Sequence, residues 1–112
     1  MREKRDPDGL VITHQFRMPR NRGMTYSLKC RGVHLTLVVS PRLNDEDPGD
    51  WRVEARAHQQ LHGDVIEAQW GDTRREALST VGRSWDANAR IHGLRMFDWD
   101  AVARVLNEVR AL

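Results

Sequence analysis

The stretch Val65–Ala89, VIEAQWGDTRREALSTVGRSWDANA, is typical of a strand, a tight turn and a capped helix in succession. Its first six residues are rich in β-branched and aromatic types, which suit a pleated strand. Gly71 and Asp72 then favour a turn. Thr73 and Glu76 form a capping box, in which the threonine side chain accepts the N–H of residue 76 and the glutamate accepts the N–H of residue 73. The rest of the chain is organised around this junction.

The helix that follows the turn has one apolar stripe. Residues spaced three or four apart lie on the same side of a helix. The stripe consists of Ala77, Leu78, Val81, Trp85 and Ala89. Gly82 inside the helix costs about 1 kcal/mol relative to alanine, and we expect it to allow close packing on the sheet. Gly93 is the expected terminator of the helix.

Four segments upstream of the junction alternate between apolar and polar residues, as half-buried strands do. They are residues 10–17, 24–31, 33–40 and 51–58. In the first, alternation predicts Leu10, Ile12, His14 and Phe16 on one face and Val11, Thr13, Gln15 and Arg17 on the other. The connections are short, with a hairpin predicted about Arg31 and Gly32, so the strands are expected to form an antiparallel meander.

A second helix is predicted downstream, with Asp98 as its N-cap. Its expected apolar face is Trp99, Val102, Ala103, Leu106, Val109 and Leu112. The element order predicts an α+β fold, an antiparallel four- to five-stranded meander sheet with two C-terminal helices packed on one face. Residues 1–9 are expected to form a flexible charged tail and residues 10–112 a single α+β domain.

Composition restricts the class of protein. The 112 residues have a formal net charge of +2, and nearly all the positive charge is arginine. Arginine in place of lysine on this scale favours a GC-rich bacterial genome as its cause. No apolar run approaches the roughly 20 residues that a membrane span needs, and MREKRDPDG is not typical of a secretory signal. A single cysteine, Cys30, excludes an internal disulfide and favours a reducing cytoplasm.

Residues for catalysis or metal binding do not form a known pattern. The chain contains no nucleophile-elbow, zinc-protease, phosphate-loop or dinucleotide-binding motif. His58 and His62 are four apart in a predicted strand end and turn, without further ligands at zinc spacing. Asp45, Glu46 and Asp47 lack the spacing of a calcium loop. We therefore expect a protein that is not an enzyme, with no catalytic residue, no metal and no cofactor.

Two features of the predicted sheet admit a functional interpretation. The tryptophans Trp51, Trp70, Trp85 and Trp99 are expected to share the core beneath the helices, or else Trp51 or Trp70 stacks on a flat ligand at the sheet rim. A basic surface is the second feature, and it could follow a phosphate backbone. Its candidate nucleic-acid-binding residues are Arg17, Arg20, Arg22, Lys29, Arg31, Arg52 and Arg56. Glu54 lies among them, so a solvated, salt-bridged face is the competing interpretation.

Residues 71–78, GDTRREAL, resemble the strand–turn–helix junction of HicB-type antitoxin domains, which have a partial RNase H-like fold. The matching positions are Gly71, Asp72, Thr73, Glu76, Ala77 and Leu78. The chain lacks the proline–aspartate segment that precedes this junction in those domains, and membership of the family is not predicted. The order of a β-meander followed by a helix also looks like that of Whirly-type single-strand DNA binders, which is a similarity of architecture alone.

Two functional hypotheses follow. The first is a small non-enzymatic interaction module that self-associates, through a sheet edge or the last helix, or binds a protein partner. The alternative is a nucleic-acid-binding domain, of the single-strand or RNA type, that uses the arginine-rich sheet face. A membrane partner is not expected.

Overall fold

The computed structural model describes residues 9–19, 23–30, 33–59 and 63–112. Five strands precede two helices. The elements are β1 (Val11–Arg17), β2 (Met24–Cys30), β3 (Val33–Pro41), β4 (Trp51–Gln59), β5 (Gly63–Gly71), α1 (Arg74–His92) and α2 (Trp99–Glu108). The expected charged tail falls almost wholly on residues 1–8, and the hairpin turn about Arg31 and Gly32 on residues 31–32. Both lie outside the described residues.

The strands form one open antiparallel sheet in the order β1-β2-β3-β4-β5, and the two helices pack on the sheet. The predicted α+β meander with two C-terminal helices is confirmed. β5 begins at Gly63, which pairs with Gln59, so the strand starts two residues before the predicted start at Val65. None of the described helices is long and apolar enough to cross a membrane.

The core lies between the helices and one face of the sheet, which we call the helix face. Alternate strand residues point into it because side chains alternate across a strand. Its sheet contribution includes Leu28, Leu35, Leu37, Val39, Val53, Ala55 and Ala57, all nearly inaccessible to solvent. α1 contributes its predicted stripe, and α2 contributes Ala101, Val102 and Leu106. The apolar face of the last helix is therefore used within the chain.

The junction between β5 and α1 has the predicted N-cap. The backbone N–H of Glu76 donates to Oγ1 of Thr73 at 3.1 Å. Among the described residues, no hydrogen bond returns from the Thr73 N–H to the Glu76 carboxylate, so only the threonine half of the capping box forms. α1 is also fixed to β5 by Glu67, whose carboxylate accepts hydrogen bonds from Ser84 and Asn88 on the helix.

Gly82 packs against α2 and not against the sheet. A Cβ atom at residue 82 would stand 2.8 Å from Cγ of Trp99. The Trp99 ring makes edge contacts with Trp85 and Phe97, and its indole N–H donates to Asp86 at 3.1 Å. Trp51 also packs against this core, whereas Trp70 pairs with Arg52 on the opposite side of the sheet. The prediction that all four tryptophans share the core is therefore wrong for Trp70.

The two helices end in similar turns that use different residues. α1 is followed by Gly93 at φ 67°, and the Leu94 N–H donates to the Ala89 carbonyl at 3.1 Å. α2 is followed by Arg110 at φ 60°, where the Ala111 N–H donates to the Leu106 carbonyl at 2.9 Å. Because α2 stops at Glu108, Val109 is 39% exposed and not part of the apolar face.

β1 does not keep a single alternation. Its pairing with β2 shifts by one residue between Ile12 and His14, where Ile12 pairs with Leu28 but His14 with Ser27. Such a bulge turns every following side chain to the opposite face. Ile12 therefore points to the helix face, whereas His14 and Phe16 point away from it. The predicted shared face of Ile12, His14 and Phe16 is wrong, and so is that of Val11 and Arg17.

Candidate interaction face and an arginine-lined cavity

The side of the sheet turned away from the helices is covered by no helix or strand among the described residues. We call it the outer face. Its side chains follow from the pairing register, since residues paired across antiparallel strands share a face. They include His14, Phe16, Thr25, Ser27, Lys29, His34, Thr36, Val38, Arg52, Glu54, Arg56, His58, Ile66, Ala68 and Trp70.

Charges on the outer face are largely compensated along β4. The Glu54 carboxylate lies 3.2 Å from the Arg52 guanidinium and 3.8 Å from that of Arg56, so one carboxylate forms ion pairs with two arginines. Arg52 also lies over the Trp70 ring, 5.8 Å from its centroid. His58, also on β4, pairs with Asp64 of β5, with 3.0 Å between His58 Nδ1 and Asp64 Oδ1. These contacts reduce the positive potential that a phosphate backbone would meet on this face.

Apolar side chains on the outer face lie mainly at its two edges. Phe16 on β1 is 54% exposed and Ile66 on β5 is 49% exposed. Val38 at the centre of the sheet and Ala68 on β5 are half-buried, and short hydroxyl side chains lie between the edges. A continuous register runs from Phe16 across the sheet to Ala68, so these two residues stand at the same level of opposite edge strands.

The structure distributes the predicted nucleic-acid-binding residues over more than one place. It places Lys29, Arg52 and Arg56 on the outer face, with Lys29 two strands away from the other two. Arg17 lies on the helix face, because it pairs with Met24 after the bulge of β1. The remaining predicted residues, Arg20, Arg22 and Arg31, lie outside the described residues.

Arg17 instead borders a cavity of about 360 Å³ on the helix face, which we call the arginine cavity. The cavity opens where the ends of β1–β4 meet the first residue of α1 and the turn after α2. It is lined by Gln15, Arg17, Gly23, Met24, Tyr26, Val39, Pro41, Trp51, Arg74, Val109, Arg110 and Ala111. Among the described residues, this lining contains three arginines and no acidic residue.

The arginines are held beside two aromatic rings. The Arg74 guanidinium carbon lies 5.0 Å from the centroid of the Trp51 ring, which is cation–π geometry. Arg74 and Arg17 both act electrostatically on the buried hydroxyl of Tyr26. Burial raises the pKa of Tyr26 above its ordinary value of 10.0, and the two arginine charges partly counteract that rise. None of the ion pairs in the described part of the chain involves Arg17, Arg74 or Arg110.

Sequence reasoning missed the cavity. The bulge that redirects Arg17 has no signal in the alternating pattern, and Arg74 lies outside the apolar stripe by which α1 was predicted. One signal was present, an arginine at the position after α2 where glycine is usual.

Comparisons of the chain with protein-family models, with curated proteins and with solved structures find no match. Among the described residues, no group of three or more His, Cys, Asp or Glu side chains could hold a metal ion.

Proposed function

We propose that this protein is a small non-enzymatic interaction module whose outer face binds a second copy of the same chain. The observation that carries the proposal is an outer face that no described helix or strand covers, with exposed Phe16 and Ile66 on its opposite edges and paired charges between them. Exposed apolar patches on a soluble domain commonly mark binding surfaces. A cytoplasmic location is part of the proposal, consistent with the single cysteine, Cys30.

The size of the outer face suits a dimer. Five strands spaced at about 4.8 Å, each of seven to nine residues rising about 3.3 Å per residue, give a face of roughly 550–700 Å² in projection. A standard interface buries about 800 Å² on each partner. The last helix is a weaker candidate for self-association, because its apolar residues Val102 and Leu106 are already buried against the core.

The arrangement of the apolar residues suits two-fold symmetry. A two-fold axis parallel to the strands and passing over β3 would stack β1 of one copy on β5 of the other. Phe16 of each copy would then face Ala68 and Ile66 of its neighbour, since these residues stand at matching levels in the register. In a two-fold symmetric interface of this kind, every favourable contact occurs twice.

Light scattering coupled to size-exclusion chromatography tests the proposal. The wild-type chain should elute as a dimer at micromolar concentration, and Phe16→Glu and Ile66→Glu should each elute as a monomer. Both side chains are about half exposed, so each charge should disrupt the dimer and leave the fold of one chain intact. Far-ultraviolet circular dichroism checks that the fold is retained.

Ile91→Glu is the matched control, because Ile91 is 74% exposed on α1, away from the outer face. It should remain a dimer. A wild-type monomer at all concentrations would refute self-association. A dimer that dissociates with Ile91→Glu but not with Phe16→Glu would place the contact on the helix side instead.

Nucleic-acid binding through the outer face is the second candidate function. Lys29 and His34 are paired across β2 and β3, and Arg56 lies on the adjacent strand, so basic groups remain on the outer face. The same face carries Phe16, an aromatic ring suited to stacking on a base, at the level of Thr25. The pairing of Glu54 with Arg52 and Arg56 weighs against it. Titration of the protein with single-stranded DNA and RNA at low and moderate salt tests whether the outer face binds nucleic acid. Salt-dependent binding that Lys29→Gln weakens supports this candidate, and no affinity at low salt ends it.

A further inference from the structure

We propose that the arginine cavity is a binding site for a phosphomonoester that carries a flat or apolar body. The inference goes beyond the proposed self-association, because the cavity lies on the opposite side of the sheet from the outer face. Arg17, Arg74 and Arg110 supply guanidinium groups from three different elements, β1, α1 and the turn after α2. Guanidinium groups recognise phosphate through paired N–H donors and remain charged at any physiological pH.

The backbone of Arg110 gives an independent reason to regard this cavity as a site. Arg110 adopts φ 60°, and among the described non-glycine residues it alone has positive φ. The turn after α1 makes the same kind of bend with Gly93, the residue type that adopts it without steric conflict. The Arg110 side chain lines an arginine-rich cavity. A role for that side chain in the cavity explains why arginine, and not glycine, occupies this position. Backbone strain of this kind is concentrated at functional sites.

The charge and shape of the lining define the class of ligand. Three arginines without an acid among the described lining residues call for an anion with more than one negative charge, which a phosphomonoester has at neutral pH. Trp51 and Tyr26 offer ring surface, and Met24, Val39 and Val109 offer apolar contact for an organic body. A volume of about 360 Å³ exceeds that of inorganic phosphate and lies within the usual range for small-molecule pockets.

Isothermal titration calorimetry with phenyl phosphate, inorganic phosphate and phenol tests the proposal. Phenyl phosphate should bind saturably and more tightly than inorganic phosphate, and phenol should not bind measurably. Arg110→Gly should weaken phenyl phosphate binding at least about tenfold, the loss expected for one charge-assisted hydrogen bond. Because glycine favours the backbone conformation at this position, the variant should melt at the same temperature as wild type or higher, which excludes unfolding as the cause.

Arg17→Gln should weaken binding similarly, and Arg90→Gln, which removes one exposed charge from the last turn of α1, should not change it.

Tyr26 provides a second measurement because it is the single tyrosine of the chain. Phenyl phosphate should raise its pKa further, since a bound anion compensates the arginine charges that lower it. The proposal is overturned if wild type shows no saturable binding of phenyl phosphate at millimolar concentration, or if Arg110→Gly binds like wild type. All three variants should keep the wild-type oligomeric state, so failure here is distinct from failure of the dimer proposal.

Discussion

Gly82→Ala should destabilise the protein, although alanine is the better helix former. Helix propensity alone would stabilise by about 1 kcal/mol. However, the added Cβ would stand 2.8 Å, 3.0 Å and 3.2 Å from Cγ, Cδ2 and Cβ of Trp99. These atoms belong to the near part of a side chain that is fixed by Trp85, Phe97 and Asp86, so they cannot move away freely. Overpacking of this kind costs about 1–3 kcal/mol.

The net expectation for Gly82→Ala is a loss of about 1 kcal/mol, or a fall of about 4 °C in Tm for a chain of this length. Thermal unfolding followed by circular dichroism measures it. Ala87→Gly on the exposed side of α1 is the matched control for propensity and should lose about 1 kcal/mol. In a Trp99→Leu background, Gly82→Ala should become stabilising. A rise in Tm for Gly82→Ala in the wild-type background would refute the packing argument.

Three further outcomes are expected. Thr73→Ala should cost about 1 kcal/mol in urea unfolding because it removes the N-cap, whereas Glu76→Gln should cost much less because its half of the capping box does not form. Glu67→Ala should lower stability by about 1–2 kcal/mol in the same assay, since it leaves two partly buried donors of α1 unpaired. Tyr26 should ionise above pH 10.0 in a phenolate absorbance titration. Its raised folded-state pKa means that stability is unaffected below the unfolded pKa and falls as pH rises from there through the folded pKa, so an increase in stability over that window would contradict the assignment.

The fold could be predicted from local sequence patterns because each helix and strand has a recognisable pattern within its own residues. The Thr73 cap, the stripe of α1 and the alternating residues of the strands agree on one arrangement. The order of the strands followed from short connections, and the structure has that order. The tertiary packing of Gly82 against Trp99 was not predictable, because nothing local to α1 specifies which element lies over its glycine.

The candidate site was less predictable, and β1 shows why. A single bulge between Ile12 and His14 moved Arg17 from the expected outer face to the helix face and moved Phe16 in the opposite direction. Alternation alone cannot locate a bulge, since one extra residue leaves the composition of the strand unchanged. The aromatic residue now central to the proposed interface and one arginine of the cavity were therefore both assigned to the wrong side of the sheet.

Small-angle X-ray scattering tests the proposed interface most directly. One chain has a radius of gyration of 13.8 Å and extents of 41 × 39 × 22 Å. Two copies stacked through the thin dimension should give about 18 Å, and two copies joined edge to edge about 24 Å. The outer-face dimer predicts about 18 Å for wild type and a return to about 14 Å for Phe16→Glu. A wild-type value near 24 Å, or a value that Phe16→Glu leaves unchanged, would contradict it.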